Sequence, residues 1–141
     1  MSHSGPRPDS RPAHRPLSPH LQIWRWHVTM LASILHRMSG AALYGGLVLV
    51  VVWLACLAAG PEAYGVFAAV SGSVFGLIVW FLLTLALSYH LMSGIRHLIW
   101  DTGRGLEPRT ASLLSTVSIL AGLALAVAFF AVLIAEGRVS L

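Results

Sequence analysis

The chain has 141 residues, of which 57% are apolar and only 10% charged, and its mean hydropathy is +0.78. An ordinary soluble domain carries about a quarter of its residues as charges, so that class is excluded. The formal charge is +4, but the arginines that supply it flank apolar runs, so the excess reports membrane topology and not nucleic-acid binding.

In chain order, residues 1–19 are rich in Pro, Arg, Ser and His and lack an apolar period, which predicts a disordered or partner-bound N-terminal segment. Residues 20–141 form the expected membrane domain. Leu21–Gln22–Ile23–Trp24–Arg25–Trp26 is an aromatic and basic patch suited to the headgroup zone. The first apolar run starts too late and runs too long for a cleavable signal peptide, so it is expected to stay attached.

Three stretches contain no Asp, Glu, Lys or Arg: Met38–Gly60, Ala63–Ile95 and Thr110–Ala135. A hydrocarbon core about 30 Å thick needs roughly 20 helical residues, and each stretch exceeds that. In lipid the backbone must bond to itself, which dictates helices. The expectation is an all-α integral membrane protein with three transmembrane helices in a bundle, spanning about 30–59, 64–98 and 110–135. Arg7, Arg11, Arg15, Arg25 and Arg37 lie before or at the first span, and Arg96, Arg104 and Arg109 in the second link. The first link has no basic residue and the tail only Arg138, so the N-terminus is expected in the cytoplasm.

The first span opens with ASILHRMSGAALYGG. Ser33, His36, Arg37, Gly40 and Tyr44 recur at helical spacing and share one stripe. An arginine at a membrane boundary can simply set topology. Beside a serine one turn earlier and an adjacent histidine, it can also hold an anionic or carbonyl-bearing ligand. Cys56, deep in this span, is the single cysteine, and it is read as a small packing residue.

The second span carries TLALSYHLMSGIRHLIWD. Ala86, His90, Ser93, Gly94 and His97 fall on one stripe, and small residues at minus four and plus four leave space beside the His90 ring. A flat macrocycle docking edge-on, with its iron on that imidazole, needs such a gap. Packing against a neighbouring helix and a proton-relay role are the alternatives. With a boundary near Arg96, His90 lies about 9 Å deep. Because His90 and His97 stand about 10.5 Å apart along one helix, they cannot grip a single iron from both faces. His36 suits a propionate or quinone neighbour, so a second axial ligand must come from another chain. The third span, rich in Ala, Gly and Ser, is expected only to pack.

RPLSPHLQIWRW (Arg15–Trp26), SILHRMSG (Ser33–Gly40) and HLMSGIRHLIWD (His90–Asp101) resemble the signatures of the cytochrome b556 membrane-anchor subunit of succinate dehydrogenase, respiratory complex II. Trp24 stands where many relatives carry Tyr. The resemblance implies an anchor in the bacterial inner membrane, holding a flavoprotein and an iron–sulfur subunit, and not catalytic alone. With a second three-helix anchor subunit it would share one haem b and form part of a ubiquinone site. By residue, the resemblance implies His90 as haem axial ligand and His36 and Arg37 in the haem propionate region. Ser33 and Arg37 would contact quinone, and His97 and Asp101 would lie near the haem edge and the soluble partner. A fumarate reductase anchor or a haem-free structural anchor are the rival readings. Histidine count disfavours a self-contained dihaem cytochrome.

Overall fold

Apolar runs this long can satisfy their backbone only as helices, and in the computed structural model, which describes residues 23–139, they do so. The order is α1 (Val28–Ala59), α2 (Pro61–Ser71), α3 (Val74–Asp101) and α4 (Pro108–Ala135). The three long helices contain 32, 28 and 28 residues. At 1.5 Å per residue the shorter two extend about 42 Å, enough to cross the hydrocarbon and reach both headgroup zones. The chain is a multi-pass membrane protein with three spanning helices. The expected segment 1–19 lies outside the described residues.

The second charge-free run does not form the single span expected over 64–98. It is cut into α2 and α3 at Ser71–Gly72–Ser73. The Ser73 hydroxyl explains the cut, because it serves both sides of the break. It donates to the Val70 carbonyl at 2.6 Å and accepts the Gly76 N–H at 3.2 Å, capping α3. A Cβ at Gly76 would stand only 2.5 Å from the Val70 carbonyl oxygen, so the corner admits no side chain there. Trp80 Nε1 donates to Ser71 Oγ at 2.9 Å and ties the corner to α3. The earlier break, between α1 and α2, uses Gly60 at φ 113°, a left-handed conformation suited to glycine, followed by Pro61 at the first helical position.

Small residues set how the helices meet. The buried positions of α4 are Ser115, Ser118, Gly122 and Ala126, spaced three, four and four apart along one face. That face lies against α3 so closely that a Cβ at Gly122 would come within 2.6 Å of Tyr89 Cα. Without a hydrophobic driving force in lipid, close backbone approach and dispersion contacts hold such helices together. Helix α1 meets α3 through Gly40 and Gly46, the latter against Leu83, and Tyr89 Oη donates to the Ala32 carbonyl. Tyr89 therefore links α1, α3 and α4 at one level. The Gly122→Ala substitution must push α3 and α4 apart, at a cost of about 1–3 kcal/mol. Thermal inactivation of the membrane-extracted protein should shift to lower temperature, and an unshifted profile would show that this contact is slack.

Candidate functional site

The site forms where the N-terminal turns of α1 face the C-terminal half of α3. Three histidines from these two helices gather there. His36 of α1 stacks on His90 of α3, with ring centroids 4.1 Å apart and planes inclined 12°. His97 lies 5.1 Å from His36, tilted by 57°. Trp100 follows one turn on, edge-to-face with His97 at 5.3 Å. These are contacts between ring faces and edges. Among the described residues no three His, Cys, Asp or Glu side chains are placed to hold a metal ion.

His90 is the most constrained of the three. Its Nδ1 lies 3.0 Å from Ser39 Oγ. A Cβ on Gly40 would stand 3.2 Å from His90 Cε1 and 3.7 Å from Nδ1. Glycine at position 40 thus lets the imidazole lie flush against α1. Gly94, one turn beyond on α3, has no neighbouring side chain or other helix within 4 Å of where its Cβ would be among the described residues, so the helix surface beside His90 is open. An apolar groove of about 420 Å³ runs between the three long helices at the level of Ser39, Ala86 and Tyr89.

These residues fit a haem. An imidazole coordinates through an in-plane lone pair, so stacking of His36 on its face leaves that direction free. The bare surface at Gly94 offers room for a macrocycle's edge, while the groove reaches only the Ser39 side of the ring. His36 Nδ1 is buried without a hydrogen-bond partner among the described residues, a polar atom that an anionic or hydrogen-bonding group could satisfy.

Arg37 and Ser33 form a separate cluster. Arg37 Nη2 donates to Ser33 Oγ at 3.1 Å and Arg37 Nε to the Ser33 carbonyl at 3.4 Å. With Thr29, Met30 and Ile34 they line a groove of about 330 Å³. Arg37 is exposed, whereas the adjacent His36 turns inward to α3. The single stripe expected from spacing is therefore divided between an outward arginine–serine pair and an inward histidine. Tyr44, at its far end, is 74% exposed and joins neither.

The α3 stripe also divides. His90 faces α1 and His97 is exposed, but Ser93 is fully buried on the α4 side. There it accepts from Arg96 Nη2 at 3.1 Å, while Arg96 Nη1 donates to Ser115 Oγ of α4 at 2.9 Å. Arg96 is 3% exposed, with its guanidinium carbon 4.8 Å above the Trp100 ring. The expected placement of Arg96 in the link at the membrane boundary is corrected here. It belongs to α3, which continues to Asp101, and it crosses between helices as a buried cation. No ion pair joins it to a carboxylate among the described residues, and its Nε has no partner. Two hydroxyls and an aromatic face stabilise the charge instead. Counted from the helix end at Asp101, His90 lies about 16 Å in, deeper than a boundary at Arg96 implied.

Asp101, Arg104 and Arg109 are exposed beyond this cluster, and Trp24, Arg25 and Trp26 are exposed before α1. Both groups lie at chain positions flanking the same end of the bundle. Three buried polar contributors were not foreseen as such: Ser39, Arg96 and Tyr89. Of these only Arg96 had a sequence signal, since Ser93 precedes it at i−3 and a serine-bearing α4 follows.

The model of a family of succinate dehydrogenase/fumarate reductase transmembrane subunits matches residues 11–134. The chain belongs to that family. The succinate dehydrogenase cytochrome b556 subunit of Paracoccus denitrificans is 40% identical over 119 residues, covering 84% of this chain and 92% of that protein. The mitochondrial succinate dehydrogenase cytochrome b560 subunit of Mus musculus is 42% identical over 96 residues, 67% of this chain and 57% of that protein. The succinate dehydrogenase cytochrome b560 subunit of Reclinomonas americana is 38% identical over 117 residues, 79% of each chain. Family membership and three spanning helices agree with the resemblance carried by the Ser33–Gly40 and His90–Asp101 motifs. Both motifs converge on the α1–α3 face just described.

Proposed function

We propose that this chain is the haem b-binding anchor subunit of a succinate:ubiquinone oxidoreductase, with its N-terminus on the cytoplasmic side of a bacterial inner membrane. The observation that carries the reading is the His90 imidazole, set in a cradle of Ser39 and Gly40 within a membrane helix of a family whose relatives are named cytochromes b. His90 would ligate the iron, and a second three-helix anchor subunit would supply the other axial ligand. His36, with its unpartnered nitrogen, and Arg37 would meet the propionates. Bound there, haem b supplies a one-electron carrier inside the membrane.

Ser33 and Arg37 act on the quinone. The guanidinium presents charged donors in a fork, and Ser33 already orients it through two hydrogen bonds. Such a pair can hold a carbonyl oxygen and favour the negative charge that accumulates on it as the ring is reduced. The flavoprotein and iron–sulfur subunits would dock on the end of the bundle that carries Trp24, Arg25, Trp26, Asp101 and Arg104.

Purification of the membrane complex through a tag on this chain tests the reading. Flavin should co-elute, and reduction should develop b-type absorption bands in proportion to it. A flavin-containing complex without those bands would leave only the structural-anchor role.

A further inference from the structure

Ser39 is not among the motif positions assigned a role above, yet among the described residues it is the one side chain hydrogen-bonded to His90. Its hydroxyl has a single proton, and Ser39 Oγ lies 2.9 Å from the His36 carbonyl, which can only accept it. Both contacts are satisfied together only when the one at 3.0 Å with His90 Nδ1 runs the other way, with Nδ1–H donating to the serine oxygen. A neutral imidazole protonated on Nδ1 keeps its lone pair on Nε2. Nε2 has no hydrogen-bond partner among the described residues. Ser39 is 7% exposed, so water does not compete freely for its oxygen.

We infer that Ser39 is a positioning residue for the haem: it fixes the His90 tautomer and ring orientation by accepting the Nδ1 proton, and through that bond it lowers the reduction potential of the iron. This rests on His90 being the axial ligand. The geometry gives Ser39 two simultaneous constraints, one on each helix. Its bond to the His36 carbonyl holds the serine rotamer on α1, and its bond to Nδ1 holds the ring on α3. Gly40 completes the cradle, since any Cβ there would press on Cε1. An acceptor at Nδ1–H makes the ligating nitrogen a stronger electron donor, which favours the ferric state. Removing the acceptor therefore raises the potential and loosens the haem.

The test is a redox titration of the haem absorption band in the assembled complex, together with the haem-to-flavin ratio. Ser39→Ala should shift the midpoint upward and reduce haem retention by roughly tenfold or more under mild chelating or detergent challenge. Ser39→Thr, which restores the hydroxyl, should return the midpoint toward that of the unmodified complex. Ser39→Cys, close in shape but a weak acceptor, should behave like alanine. If alanine prevents assembly, the cysteine variant decides, and an unmoved midpoint in it overturns the inference. Equal shifts in the alanine and threonine variants would also overturn it, because they would report packing and not the hydrogen bond. His90→Ala separates this from the reading beneath it. Haem lost in His90→Ala but unmoved in Ser39→Ala and Ser39→Cys refutes only the role of Ser39, whereas haem kept in His90→Ala refutes the ligand.

Discussion

His90→Ala should remove the b-type absorption bands from the assembled complex, with haem per flavin falling more than about tenfold. That bound is the conservative one, because loss of a mere supporting hydrogen bond around a metal site already costs about 10–100-fold in affinity, and here the ligand itself goes. The result discriminates sharply because the alternative role of His90 is visible in the same contacts. The ring fills the space over Gly40, stacks on His36 and bonds to Ser39, so as a packing residue it would stabilise the α1–α3 contact with no metal involved. Its removal would then weaken assembly and leave spectroscopy of the surviving complex intact. His90→Phe keeps an aromatic body of comparable shape against Gly40 and offers no lone pair. A spectrum missing in both variants identifies ligation, and a spectrum retained in either one refutes it.

How much of this was legible in sequence depends on what kind of physics decides each feature. The three spanning helices follow from charge-free length, a property of the chain alone. The break at Ser71–Gly72–Ser73 does not, because hydropathy runs straight through it; a serine hydroxyl used from both sides and a glycine under a carbonyl decide it, and both are local geometry. The structure brings the α1 and α3 stripes together at His36 and His90, but spacing cannot say which way a stripe's edges lean. Arg37 leans out to Ser33 and His36 leans in to α3, although they are adjacent. Ser93 and His97 separate in the same way, one to α4 and one to the exposed rim beside His36 of α1. Arg96 illustrates the harder case. Positive-inside logic assigns every arginine near a helix end to the boundary, while the structure spends this one on a link between Ser93 and Ser115. Only the partner helix, with its small-residue face, makes room for that, and the partner is not apparent from the α3 sequence.

Arg37→Ala should lower succinate:quinone reductase activity about 100-fold, the low end of the loss when one hydrogen-bond donor is removed from a developing oxyanion, while electron delivery to a soluble artificial acceptor falls far less. The contrast follows from where Arg37 sits. It is exposed in a groove with Ser33, makes no contact with the histidine cluster's hydrogen bonds, and holds no helix against another. Its removal costs little packing, so a drop confined to the quinone assay reports the ligand and not the scaffold. Arg37→Lys refines the argument. Lysine keeps the charge and snorkels to the same headgroup zone, so it preserves any topological role, but it lacks the fork that meets both a carbonyl and Ser33. A quinone-binding arginine predicts an intermediate rate for lysine, and Ser33→Ala should lower the rate by a smaller factor in the same assay. A topology-setting arginine predicts full activity for lysine and equal losses in both assays for alanine. Those two patterns cannot be mistaken for each other, because charge and geometry are separated in one variant and removed together in the other.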